Sequence, residues 1–192
     1  LHWPNGTYQS GSYKETLRRS LAEVEQHARD KGIKIALENT DWKEPAGFNN
    51  FPSIEFALGE FEPEFLGICY DSGHGNLYKT RDAKHMDMLD KHRDRLTAVH
   101  LHDNKGTGRS KKYRLPQERA RQDDDMHMLM FTGTVDWYRL AKIMAESGYK
   151  GPITTESNMK NHWNMSPENF LHKAYQAGVT FGAMVEAQKA TK

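Results

Sequence analysis

A single cysteine, Cys69, is all that this 192-residue chain contains, so no disulfide can form within it. A reducing compartment suits such a chain. No apolar run comes near the roughly 20 residues that a membrane helix needs, and no signal peptide is evident. The expected location is the cytoplasm, with no membrane partner. Net charge is nearly absent as well, with 27 Lys and Arg against 26 Asp and Glu. That balance speaks against a nucleic-acid partner, because phosphate backbones are held chiefly by electrostatics. The charge is unevenly spread, however: residues 105–121 carry seven Lys and Arg against Glu118, a local +6 that leaves −5 elsewhere. An initiator methionine is missing too, since the first residue is Leu1, and a longer parent polypeptide is expected. The length itself allows one domain or a large part of one, with enough chain for a core.

What the sequence does have is alternation of helical and strand patterns, the mark of an α/β fold with a parallel sheet. Leu17, Leu21, Val24 and Ala28 share one face of a helix over 13–31, with Ser12 and Glu15 as a capping box and Gly32 as its stop. A strand over 33–39 follows, then a loop with Pro45, Gly47 and Pro52, and a short helix near 53–61. Next come a strand over 65–71, a charged helix around 81–94 and a strand over 96–103. After a long polar stretch, residues 134–137 open a helix that ends near Gly148, and a strand over 152–156 follows. Ser166 and Pro167 start a last helix whose apolar face is Phe170, Ala174, Ala177, Phe181 and Met184. No internal repeat stands out. The stretch over 105–127 exceeds the usual two to six residues of a βα connection, which marks it as functional or disordered.

Four of these strands end on a polar residue: Glu38, Asp71, His100 and Glu156. In a parallel α/β sheet the C-terminal strand ends lie along one edge, where active sites form. Side chains alternate along a strand, so the residues two positions earlier share the same face. Those are Ala36, Cys69, Ala98 and Thr154, all small enough for the interior of a barrel. The opposite parity holds Ile35, Leu37, Ile68, Tyr70, Val99, Leu101 and Ile153, which would face helices. Three carboxylates and an imidazole meeting at one point would repel without a positive charge between them, and a divalent metal is the simplest answer. Oxygen-rich mixed ligation favours Mn²⁺, Mg²⁺ or Co²⁺ and leaves Zn²⁺ open. Any one carboxylate at a strand end is more often a helix N-cap; four in phase are the stronger signal. Cys69 reads as a small packed hydrophobe, and His27, His85, His92 and His172 as helix-surface residues.

The stretches 33-IKIALENT-40, 67-GICYDSGHGNL-77, 98-AVHLHDN-104, 125-DMHMLMFTGTVDW-137 and 148-GYKGPITTES-157 resemble the xylose-isomerase-like TIM barrel superfamily, and within it the sugar phosphate isomerase/epimerase group. The resemblance implies a (β/α)8 barrel of which this chain is the C-terminal part, residues 1–192, from the end of strand four to helix eight. It carries a basic insertion at about 105–124, and the N-terminal strands are missing. It implies one divalent metal held by Glu38, Asp71, His100 and Glu156, with Glu38 and Glu156 also exchanging protons with a sugar carbon through a cis-enediolate. The metal stabilises developing oxyanion charge, and two carboxylates on opposite faces supply base and acid. His74 resembles a histidine that contacts substrate oxygen. His2, Trp3, His102, Asp125 and His127 are further substrate-side candidates, as is Glu44 in a lid-like loop over 41–51. The expected partner is a sugar or sugar phosphate, and homo-oligomerisation stays open.

The same superfamily includes endonuclease IV, a trinuclear zinc enzyme that cuts DNA at abasic sites. His2, Glu38, Asp71, His74, His100, Asp125, His127 and Glu156 all fall where that family has ligands, and the basic segment would suit phosphate. The near-neutral chain and the loop after Glu38 favour the isomerase instead. An inositol-pathway dehydratase and a non-catalytic sugar-binding relative are further alternatives. Lys160 and His162, after the last strand, are candidates for phosphate, and Trp3 and Trp42 for stacking on a sugar.

Overall fold

The computed structural model describes residues 1, 11–42, 48–49, 51–77, 84–106 and 125–190. Six strands and six α-helices occur among them. The strands are β1 (Ile35–Glu38), β2 (Asp41–Trp42), β3 (Phe48–Asn49), β4 (Leu66–Asp71), β5 (Leu96–Leu101) and β6 (Thr154–Thr155). The helices are α1 (Gly11–Asp30), α2 (Phe51–Glu60), α3 (Ser72–Asn76), α4 (Lys84–Lys91), α5 (Trp137–Ser147) and α6 (Pro167–Lys189). Strands β1, β4, β5 and β6 lie side by side in that order, every pair parallel, as helical crossovers require. Leu1 extends this ladder beyond β1. Its amino group donates to the Ala36 carbonyl at 2.8 Å, and the Glu38 N–H donates to the Leu1 carbonyl at 3.2 Å, a parallel bridge about Leu37.

Strand parity has the expected consequence. Leu37, Ile68, Tyr70, Val99 and Leu101 face the helices and are buried. Each such side chain contributes roughly 1.5–3 kcal/mol of hydrophobic stabilisation. They join one core with Leu17 and Leu21 of α1, Ile54 of α2, Leu89 of α4, Leu140 of α5 and Phe181 of α6. On the opposite face Ala36 and Ala98 are half-buried and Thr154 is exposed, while Cys69 is buried. Among the described residues, then, helices cover one side of the sheet, and the other side is less covered.

Several local expectations need correction. Helix α1 begins at Gly11, ahead of Ser12, so Ser12 is not its N-cap. Val24 is 43% exposed, at the edge of the apolar face where the 3.6-residue period turns it towards solvent. The charged helix after β4 is shorter than expected, closing at Lys91 before a 3-10 turn at Arg93–Arg95. Asp136 caps α5 by accepting from the Arg139 N–H, and Gly148 ends it at φ 73°, a conformation that costs a residue with a side chain. Ser166 caps α6 with Pro167 in its first turn, as expected. The stretch after Glu38, read as a loop, contains the antiparallel pair β2–β3. Among the described helices, none is long and apolar enough to cross a membrane.

Candidate metal centre

Register aligns the polar strand ends. Asp71 pairs with His100 across β4 and β5, and Glu38 lies opposite Cys69, with Thr154 of β6 beside His100. Glu38, Asp71, His100 and Glu156 each turn a donor atom to one point, all four within 4.8 Å of one another. His100 Nδ1 lies 3.4 Å from Glu38 Oε2 and 3.5 Å from Glu156 Oε2. The set has a closed floor and an open mouth. Glu38 and Asp71 are buried, whereas the His100 and Glu156 side chains are 32% and 44% exposed. Negative charge crowds here. Burial and then the Asp71 charge raise the Glu156 carboxyl above its usual range.

Asp71 is held from every side. Its N–H donates to Asn39 Oδ1 at 2.7 Å, and Asn39 Nδ2 donates to its carbonyl at 2.8 Å. Its carboxylate caps α3, with Oδ1 accepting the His74 N–H at 2.7 Å. The two readings of a strand-end carboxylate, cap and donor, are therefore both realised. His102 adds a further contact, Nε2 to Oδ2 at 3.1 Å. Burial alone would raise the Asp71 pKa, but the His74 and His102 rings outweigh it and hold the group below the usual carboxylate range.

A second set sits alongside: His74, His102, Asp125 and His127, again within 4.8 Å. Asp125 Oδ2 accepts from His127 Nε2 at 2.9 Å and from His74 Nε2 at 3.2 Å. The other nitrogen of each ring also faces an acceptor: His74 Nδ1 the Asn39 carbonyl at 3.0 Å, and His127 Nδ1 the Glu156 carbonyl at 2.8 Å. A ring with acceptors at both nitrogens is placed to donate from both. Burial works against charge on His74, but Asp71 and Asp125 carry it up to about 10. The hydrogen bond to Asp125 lifts His127 to about 9. Asp125 is correspondingly depressed, its two histidine partners overcoming the effect of burial. His127 adopts φ 43°, sparsely populated for a residue with a side chain, and these contacts hold it there.

The remaining candidates separate. His2, Trp3 and Glu44 lie outside the described residues, as do 107–124 of the basic segment. Asp103 and Met128, at the feet of that segment, exchange both backbone hydrogen bonds at 2.9 and 2.8 Å. His102, expected on the substrate side, is fully enclosed instead. His162 is buried and accepts the Leu129 N–H at 3.0 Å, a structural task, whereas Lys160 is exposed. Asn39 is not among the expected site residues, although the unbroken polar run Glu38-Asn39-Thr40 at the end of a strand is its signal; all three are buried.

The four-strand set fits a divalent ion. His100 Nδ1 is buried and, among the described residues, finds no hydrogen-bond partner, with three carboxylates gathered about it. Three oxygen donors and one imidazole suit Mn²⁺, Mg²⁺, Co²⁺ or Zn²⁺. Cys69 also lies within reach of Glu38 and His100, and burial and the neighbouring Glu38 and Asp71 charges push its thiol up to about 12.

Known proteins agree with this architecture. The chain is 29% identical over 176 residues to the uncharacterized protein y4fM of Sinorhizobium fredii, a match covering 91% of this chain and 49% of that protein. It thus spans about half the length of this curated relative. Among solved structures, a D-tagatose 3-epimerase-like protein superposes with a TM-score of 0.67 at 20% identity, covering 100% of this chain and 62% of that one. The IOLI protein with a bound zinc atom gives 0.67 at 17% identity, covering 96% and 62%. At these identities the likeness establishes the α/β, TIM-barrel-like fold. The sequence pattern of the xylose isomerase-like TIM barrel family matches residues 1–180, and the chain belongs to that family.

Proposed function

We propose that this protein is a divalent-metal-dependent isomerase or epimerase of a sugar or sugar phosphate, and that its four parallel strands are strands five to eight of the barrel. One observation carries the reading: donor atoms of Glu38, Asp71, His100 and Glu156, from four neighbouring strands, gather within 4.8 Å. All four would hold the ion. Bound there, it would polarise a substrate carbonyl and so acidify the adjacent C–H. Glu38, on the floor, and Glu156, at the mouth, stand on separate strands and would act as proton acceptor and donor on opposite faces of that carbon. His74, partly exposed and held at both ring nitrogens, would present its charge to substrate oxygen. The names of the structural neighbours support the substrate class, D-tagatose 3-epimerase-like protein and L-ribulose 3-epimerase among them. The test is exchange of a substrate C–H with solvent deuterium by the full-length protein over a panel of ketoses and ketose phosphates. Exchange that disappears in Glu38→Gln and Glu156→Gln is expected; no exchange across the panel overturns the reading.

A second reading, an endonuclease IV-like trinuclear zinc enzyme, draws on the neighbouring set of His74, His102, Asp125 and His127. Against it, each ring nitrogen of His74 and His127 already faces a protein acceptor. About one tightly held metal equivalent supports the isomerase. Three zinc equivalents with cleavage of an abasic duplex would support the nuclease.

A further inference from the structure

We infer that His102 is a positioning residue: its imidazole fixes the carboxylate of Asp71 in the orientation the four-strand donor set needs, and it neither binds an ion nor touches substrate. This rests on the metal reading of that set. His102 Nε2 lies 3.0 Å from Asp71 Oδ1 and 3.1 Å from Oδ2, and the residue is fully buried. At those distances Nε2 is placed to donate to Asp71, with Asp125 Oδ1 farther off at 3.7 Å.

The surroundings are built to keep it there. The Ser72 hydroxyl donates to the His102 carbonyl at 2.7 Å and accepts the His102 N–H at 3.0 Å, tying the end of β5 to the start of α3. Position 73 must be glycine. A Cβ there would stand 1.9 Å from His102 Cε1 and 2.3 Å from Nδ1, inside the ring's own space. One face of the imidazole thus rests on Gly73. The His127 ring stacks on His102 at 3.9 Å between centroids and 12° between planes, and His74 meets it edge-on at 5.7 Å. Ring rotation is blocked. Among the described residues His102 Nδ1 finds no hydrogen-bond partner, and Gly73 lies over it. With Nε2 and the His74 N–H both on its carboxylate, Asp71 is left to direct its remaining lone pairs towards Glu38, His100 and Glu156. Hydrogen-bonded partners of ligating carboxylates typically matter about 10–100-fold in metal affinity.

The experiment titrates the metal-free, full-length protein with Mn²⁺ by calorimetry in wild type, His102→Phe and His102→Gln. The Mn²⁺ dissociation constant should rise about 10–100-fold in His102→Phe. It should return to within a few-fold of wild type in His102→Gln, whose amide N–H reaches the same place. Unchanged affinity in His102→Phe overturns the inference. So does loss of one whole Mn²⁺ equivalent in both variants with the remaining affinity intact, which would make His102 a ligand. A second measurement needs no folded His102 variant and no metal. Imidazole ¹⁵N spectra of the wild type should show His102 protonated at Nε2, with that signal displaced in Asp71→Asn. Protonation at Nδ1 alone, or indifference to Asp71→Asn, sinks the assignment. Should the wild type take up no Mn²⁺, or Glu38→Gln and His100→Ala leave uptake unchanged, the metal reading fails; the imidazole spectrum still decides what His102 does.

Discussion

Two sets of four side chains lie against each other at the strand ends, and they solve the problem of buried charge in opposite ways. Glu38, Asp71, His100 and Glu156 bring three carboxylates to one imidazole whose Nδ1 has no hydrogen-bond partner among the described residues. His74, His102, Asp125 and His127 bring three imidazoles to one carboxylate, and two of those rings face an acceptor at each nitrogen. The first set is short of positive charge; the second supplies its own. Similar donor atoms at similar spacing therefore have different needs, and proximity alone does not identify a metal site. What distinguishes the two is where the lone pairs and protons point.

The largest expected effect is on metal affinity. Removing a ligand should cost more than the roughly 10–100-fold of an outer partner. His100→Ala and Glu38→Gln should therefore weaken Mn²⁺ binding by more than about 100-fold, by calorimetry on the full-length protein. His127→Ala, in the second set, should shift it by no more than a few-fold. Equal losses from both sets would erase the distinction.

Stability of the metal-free protein should separate the sets again, now by sign. Breaking a buried ion pair by removing one partner costs about 3–5 kcal/mol. Asp125 is 23% exposed, so Asp125→Asn should cost less, about 2 kcal/mol. Glu156→Gln removes one of several like charges and should leave urea stability unchanged or slightly raised, by under about 1 kcal/mol. The pH profile follows the same logic. His127 and His74 have folded pKa values raised from 6.5 to about 9 and about 10. The folded protein holds those protons more tightly than the unfolded chain, so their stabilisation is complete below pH 6.5 and is lost as pH rises through about 9 and then about 10. Asp125→Asn should flatten that alkaline decline. A variant as steep as wild type would show that Asp125 does not hold the protons.

How much of this the sequence displays depends on the range of the interaction involved. The four-strand set was legible because strand parity is a period of two, and Glu38, Asp71, His100 and Glu156 obey it together with their small inward neighbours. Helix α3 was not. Its five residues, Ser72–Asn76, include two glycines and carry little helical preference; the Asp71 cap and the His102 ring beneath Gly73 hold it in place. Strand β6 came out shorter than expected because Pro152 lacks the N–H a ladder needs. The pair Asp125 and His127 was visible as a motif, but its protonation was not, since that depends on the carbonyls of Asn39 and Glu156, distant in sequence. The same distance hid the enclosure of His102.

The smallest effect concerns a polar atom that serves neither set, and so measures what burial costs without a purpose. Tyr70 belongs to β4, one residue before Asp71, but alternation turns it the other way, into the layer between sheet and helices. It is fully buried, its hydroxyl finds no hydrogen-bond partner among the described residues, and burial pushes its pKa far upward. An unpaired buried hydroxyl costs about 1–3 kcal/mol, whereas the ring it sits on is fully used in packing. Tyr70→Phe keeps the ring and removes the penalty, so urea stability should rise by about 1 kcal/mol, with Mn²⁺ affinity untouched. Were the substitution to destabilise the protein, the hydroxyl would have a partner such as an ordered water. An unpaired buried atom would then be an unreliable sign of a waiting ligand, and the case for His100 Nδ1 would have to stand on its three carboxylates alone.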